Sequence, residues 1–172
     1  MYQSKINYNV GSEIVTLAEA KNYIRVETDV DDLLISNMII QARTIIENYI
    51  STDVMPKARS VFVDKIEGHD FVLPFAPVRV ISSITSKGVA VSTSDYEIKG
   101  LDKELIYFKN LYLEDIQVNY ETLGLNDEFL RQGILQMVST LYDNRSDVVF
   151  DSINEIPNDV KSLVSSYKKM FF

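Results

Sequence analysis

Residues 15–50, VTLAEAKNYIRVETDVDDLLISNMIIQARTIIENYI, decide the fold. Thr16 and Glu19 stand at the Thr-x-x-Glu spacing of a capping box, which predicts a helix starting at Leu17. Leu17, Ala20, Tyr23 and Ile24 fall on one face of that helix. Arg25-Val-Glu-Thr breaks the pattern. Asp29, Asp31 and Asp32 gather where a second helix begins. Carboxylates there cap free amides and complement the helix dipole, contributing about 0.3–1 kcal/mol each. In the second helix, residues 33–50, Leu34, Met38, Ala42, Ile45 and Tyr49 make one stripe, and Leu33, Ile35, Ile39, Ile46 and Ile50 widen it. Ser51-Thr52-Asp53 and Pro56 end it. A helix apolar over so much of its surface must be covered by the rest of the chain, by a neighbouring subunit, or by both.

Beyond the helical pair of residues 14–52, residues 59–121 read as strands. Arg59-Ser-Val-Phe-Val-Asp-Lys-Ile, Phe71-Val-Leu, Val80-Ile-Ser-Ser-Ile-Thr and Ile116-Gln-Val-Asn-Tyr are rich in β-branched and aromatic residues. Turn signals separate them at Glu67-Gly68-His69-Asp70, Pro74, Pro77, Lys87-Gly88 and Lys99-Gly100. Ser94–Ile98 and Leu105–Phe108 suggest a further hairpin. Helical spacing returns over residues 126–145. Asn126 or Asp127 supplies the cap, and Leu130, Ile134, Met137, Val138 and Leu141 form the buried stripe. Gly133 costs about 1 kcal/mol relative to alanine in a helix, so close approach by another helix is one reason for it. Residues 146–156 form a loop or arm. Pro157 suits the first turn of a last helix and tail, 157–169, with Val160, Leu163, Val164 and Tyr167 on its apolar face. The expectation is one domain over 1–172 of α+β class, mainly helical: a core of helices with a small antiparallel β-sheet inserted between the second long helix and the C-terminal helices.

Composition bounds the function. A chain of 172 residues buries on the order of 70% of its unfolded surface, enough for a real core. No run of 18 apolar residues marks a membrane span. The opening MYQSKINYNV lacks the layout of a signal peptide. With no cysteine, disulfides, thiolate nucleophiles and cysteine-based zinc sites are excluded. The net charge of −8 repels phosphate and argues against sequence-independent DNA binding. The charge is uneven: Lys161, Lys168 and Lys169 against Asp159 make residues 157–172 net +2, leaving −10 on the remainder. A basic tail ending in Met170-Phe171-Phe172 reads as a docking element. Its two phenylalanines need cover, either from this chain's own core or from a groove on a partner. Val148, Val149 and Phe150 pose the same choice between an inter-subunit arm and a loop folded onto the core.

Enzyme readings fail on the residues, and no catalytic, metal or cofactor-binding residue is assigned. His69 is the only histidine. It sits in a turn signal, and no serine lies in a G-x-S-x-G elbow. No phosphate-binding glycine loop is present. Asp29, Asp31 and Asp32 do not make a calcium loop, since Leu33, Leu34 and Ile40 fill the third-ligand, glycine and terminal-glutamate positions. Tyr96, Tyr107, Phe108 and Tyr112 could stack bases, but without interleaved arginines they read as sheet packing.

Three segments in order resemble the phage head-tail connector (adaptor) family, in particular its longer members with a β insertion. They are the pair TLAEAKNYIRV and LLISNMIIQARTIIENYI joined by the acidic DVDD, then LPFAPVRVISSIT, then VNYETLGLNDEFLRQGILQMVSTLYDNRSD. The likeness covers roughly residues 14–170, and its specificity lies in the order of degenerate motifs. It departs at Leu125-Asn126-Asp127, where many relatives carry prolines.

The resemblance implies a structural virion protein, made in the bacterial host cytoplasm, of a phage or prophage. It implies a dodecameric ring that docks under the portal protein and continues the DNA channel toward the tail. Double-stranded DNA then passes through without specific binding. It also implies a tail-proximal stopper protein as neighbour, no membrane partner and no cofactor. The portal-docking candidates are Lys161, Tyr167, Lys168, Lys169, Met170, Phe171 and Phe172, and the subunit-contact arm is Val148, Val149 and Phe150. The alternatives are a monomeric α+β binding or regulatory module and, against the helix-first order, a head-completion stopper protein.

Overall fold

The computed structural model describes residues 2–110, 112–145 and 156–169. The chain divides into two compact units: Met1–Ser12 with Met55–Leu125, and Glu13–Val54 with Asn126–Phe172. The first is a β unit and the second a helical one.

The helical unit begins where the capping box predicts. Helix α1 spans Leu17–Ile24; the Thr16 side chain accepts from the Glu19 amide, and the Glu19 carboxylate accepts from the Thr16 amide at 2.7 Å. Helix α2 spans Asp32–Ile50, α3 spans Glu128–Asp143 and α4 spans Asn158–Val164. A 3-10 turn, Ser165–Tyr167, follows α4. Asp127 caps α3, its carboxylate accepting from the Phe129 amide at 2.9 Å. The α3 stripe is buried as expected, and α3 packs on α2 and α4. A Cβ built on Gly133 would stand 3.0 Å from Val164 Cγ1 and 3.6 Å from Ile46 Cδ1. At Gly133 the Val164 side chain of α4 approaches α3 more closely than a Cβ comfortably allows.

Two expectations for this unit are corrected. The α2 core face is Ile35, Met38, Ile39, Ala42, Ile46 and Ile50, so the residues expected only to widen the stripe carry most of it. Leu33 is 76% exposed and Leu34 39% exposed. Isoleucines and leucines stand all round this helix, so apolar periodicity alone does not fix which side faces inward. The three aspartates act less as caps than as ties between helices. Asp31, at the α2 N-cap, makes no side-chain cap hydrogen bond. Its Oδ2 accepts from the Tyr142 hydroxyl at 2.7 Å. Lys21 Nζ reaches Asp29 at 2.7 Å and Asp32 at 2.6 Å.

The β unit holds two antiparallel sheets. The larger contains β1 (Tyr2–Asn9), β2 (Lys57–Glu67), β4 (Val78–Ser86), β5 (Val89–Ala90) and β8 (Tyr112–Thr122), in the order β1-β2-β8-β4-β5. The smaller contains β3 (Asp70–Val72), β6 (Tyr96–Lys99) and β7 (Leu105–Phe108), in the order β3-β7-β6. The β6–β7 hairpin expected from the sequence pairs with Ile98 opposite Ile106. Lys87 and Gly88 both take positive φ, 49° and 77°. Two successive left-handed residues make the tight turn whose twist matches a hairpin, here β4–β5. Val61, Leu73, Ile106, Phe108, Ile116 and Tyr120 build the core, and the Tyr120 hydroxyl donates to the Pro74 carbonyl at 2.7 Å.

The class is α+β, but the chain is not mainly helical: strand and helix contribute about equally, in two sheets rather than one small insertion. The first strand lies outside the expected insertion altogether. Residues Tyr2–Asn9 have no buried side chain, so no apolar pattern announces them, and their partner strand begins nearly 50 residues downstream. Among the described residues, no helix is long and apolar enough to cross a membrane.

Candidate functional site

The candidate features among the described residues are a pocket, the aromatic groups of the β unit and the C-terminal segment. Among the described residues no group of three or more histidines, aspartates or glutamates is placed to hold a metal ion. His69 lies in the bend between β2 and β3. It is half-buried rather than freely solvated, with Nδ1 2.6 Å from the Phe108 carbonyl oxygen and its ring stacked on Tyr107 at 4.8 Å. A pocket on the larger sheet is lined by Gln3, Lys5, Ser60, Phe62 and Gln117 among others, and Lys5 is its one ionisable group. The aromatic candidates are occupied within the fold. Phe108 is in the core, Tyr96 packs against it, and Tyr107 lies between His69 and the Lys99 ammonium, 3.7 Å from its ring centre. Tyr112 remains 55% exposed, with Lys65 Nζ 4.6 Å from its ring centre.

The C-terminal segment was singled out by its charge, and the helical unit positions most of it. Val160 and Val164 bury α4 against α3. The Tyr167 hydroxyl donates to Asp127 Oδ1, the same carboxylate that caps α3. That bond holds Asp127 below its usual value and pushes Tyr167 up to about 12, burial adding to the tyrosine's shift. Lys168 Nζ stands 4.7 Å from the centre of the Tyr49 ring, and the Lys169 amide donates to the Ile50 carbonyl at 2.9 Å. Tyr167, Lys168 and Lys169 thus gather where α3 begins and α2 ends. Lys168 is exposed, while Lys161, Tyr167 and Lys169 are intermediate. Met170, Phe171 and Phe172 lie outside the described residues, as do Val148, Val149 and Phe150.

The helical unit also has a feature that sequence reasoning missed. Arg43 and Glu47 look like an ordinary surface pair one turn apart on α2, yet they are 3% and 2% exposed. Arg43 NH1 reaches Glu47 Oε2 at 2.6 Å, and Arg43 Nε reaches Glu13 Oε2 at 2.7 Å. Glu47 Oε1 also accepts from the Val54 amide at 2.9 Å. The buried guanidinium is held charged: burial opposes this, but hydrogen bonds and charge from Glu13 and Glu47 outweigh it and raise its pKa. Arg131 has a parallel role on α3, bonding the Ile14 carbonyl and the Glu19 carboxylate. The one available signal was the absence of any charge on the rest of α2 beyond its first residue.

Comparison with solved structures finds the same fold. A chain of the neck of an empty gene transfer agent particle, computed with C6 symmetry, superposes with a TM-score of 0.76 at 15% identity, over 99% of this chain and 97% of that one. A chain of the virion of a native gene transfer agent particle gives 0.76 at 13% identity with the same coverage. A chain of the native particle's neck, computed with C12 symmetry, gives 0.72 at 13%. No curated protein matches this sequence. Residues 13–170 match the head completion protein family, a span that takes in nearly the whole chain and both units. The chain therefore belongs to the head completion protein family.

Proposed function

We propose that this head completion protein is the adaptor of a phage-type head–tail junction: a structural subunit that docks as a ring under the portal and continues the DNA channel toward the tail. One observation carries the reading. The whole chain shares its fold with chains of particle necks computed with C6 and C12 symmetry, a setting in which several copies stand around an axis. Its work is geometric, done by interfaces and without turnover. The net charge of −8 fits a channel wall that DNA slides past without sticking. Both units act together as one connector subunit.

In this reading Lys161, Tyr167, Lys168, Lys169, Met170, Phe171 and Phe172 grip the portal, and Val148, Val149 and Phe150 form an arm onto the neighbouring subunit. A stopper protein follows on the tail side. What supports the docking assignment is that Tyr167–Lys169 are held at the junction of α2 and α3, which gives the last residues a fixed point of departure.

The test is co-purification with the portal protein of the same genome, viewed by negative-stain electron microscopy. The expected result is a collar of extra density under the portal that disappears when Lys168–Phe172 are deleted. No association at high protein concentration and moderate salt would point instead to a monomeric binding module.

A further inference from the structure

Helix α2 carries its charge on the inside and its neutral side outside. Beyond Asp32, its only charged side chains are the buried Arg43 and Glu47. Its solvent side is Leu33, Asn37, Ile40, Gln41, Thr44 and Asn48, recurring every three or four residues over a helix about 28 Å long. None of the six is charged, and Leu33 and Ile40 are 76% and 47% exposed. The outer side of a surface helix is ordinarily where the charged residues stand. A stripe that mixes aliphatic and neutral polar groups and excludes charge has the composition of an interface centre.

Helix α3 buries its stripe against α2 and α4, and on its outer side Gln132 donates to the Tyr23 hydroxyl of α1 at 3.2 Å. That side is flanked by the exposed Glu128 and Asp143, and between them no charged residue occurs from Gln132 to Tyr142. It presents Phe129, 60% exposed, with Gln132, Leu135, Gln136 and Ser139 intermediate. Among the described residues, Gln136 Oε1 is buried without a hydrogen-bond partner.

We infer that the outer stripe of α2 in one copy docks on the Phe129–Ser139 side of α3 in the next copy. This deepens the ring reading above and rests on it. Charge selects the occupant. Each copy carries −8, and like charges brought face to face oppose association. The neutral stripe is where two acidic copies approach closely without that penalty. DNA is a poor occupant, because phosphates are held by lysine and arginine, and Leu33 and Ile40 offer neither. Geometry selects the arrangement. Two different faces of one subunit make a head-to-tail contact, and such contacts form a ring where the rotation between copies closes.

The chain has no cysteine, so introduced cysteines are unique reporters. Ile40→Cys is combined in turn with Phe129→Cys, Gln132→Cys and Gln136→Cys in the full chain. Each variant is bound to the portal and treated with mild oxidant or a short bismaleimide. The expected result is a ladder of covalent multimers from at least one double variant and no cross-link from any single variant. Dimers from Ile40→Cys alone would show the stripe meeting itself and overturn the arrangement. A collar by microscopy without cross-linking in any double variant would overturn the contact and leave the ring reading intact. Loss of the collar in the unmodified chain would overturn both. As a second arm, Leu33→Asp with Ile40→Asp should keep the wild-type melting curve and abolish the collar; a collar that persists would contradict the inference.

Discussion

Arg43 and Glu47, one turn apart on α2, form an ion pair at 2.6 Å with both side chains under 5% exposed. Through Glu13 and the Val54 amide, the pair ties the segment before α1 and the segment after α2 to the middle of α2. Breaking a buried pair by removing one partner leaves an uncompensated charge, whereas replacing both with neutral groups is much less costly. Arg43→Met should therefore lower the unfolding free energy by about 3–5 kcal/mol. Arg43→Met with Glu47→Gln should lose clearly less, since glutamine still accepts from the Val54 amide. Urea unfolding of both variants checks this, and equal losses would mean that the charge of Glu47 is relieved in another way.

Gly133 gives a second prediction. Its missing Cβ would lie 3.0 Å from Val164 Cγ1, so a large side chain forces α4 away from α3. Gly133→Leu should destabilise by about 1–3 kcal/mol despite better helix propensity. Adding Val164→Ala should recover part of that loss. A double variant no more stable than Gly133→Leu alone would place the strain elsewhere.

Acid should weaken the helical unit. Asp127 lies below its usual value, held there chiefly by the Tyr167 hydroxyl and then by the Phe129 amide. Glu19 is lowered by hydrogen bonds from Thr16 and by Arg131. A carboxylate whose folded pKa is depressed contributes stability above its unfolded pKa and loses it as pH falls through the folded value. The contributions are thus full above about pH 4.5 and fade below it. Asp127→Asn and Glu19→Gln should each flatten the acid limb of melting temperature against pH, and Tyr167→Phe should do so partly. An unchanged acid limb would contradict the assigned bonds.

Ile39 and Ile134 are 3% and 1% exposed in the core of the helical unit. Aspartate at either position buries an unpaired charge and should cost several kcal/mol, enough to unfold a domain of ordinary stability. Circular dichroism against temperature checks this, and a normal melt would mean the core is misassigned.

What was legible in the sequence followed from local chemistry. The capping box at Thr16 and Glu19, the Asp127 cap, the α3 stripe and the Lys87-Gly88 turn each rest on side chains a few residues apart, and each stands where it was expected. What was not legible depended on distant partners. Strand β1 exists because residues 57–63 pair with it, and none of its side chains is buried to mark it. The facing of α2 was obscured because it is apolar on nearly every side, and the burial of Arg43 depends on Glu13, 30 residues away. Of the candidate surface, the basic C-terminal segment was visible as charge. The neutral stripe was invisible until the position of the core showed which side of α2 faces out.

Whether this chain completes the junction between head and tail is decided by deleting its gene in a particle-producing host and counting products by electron microscopy. Heads and tails should then accumulate separately and join when purified full-length protein is added to the lysate. Tailed particles at normal yield without the protein would contradict that role.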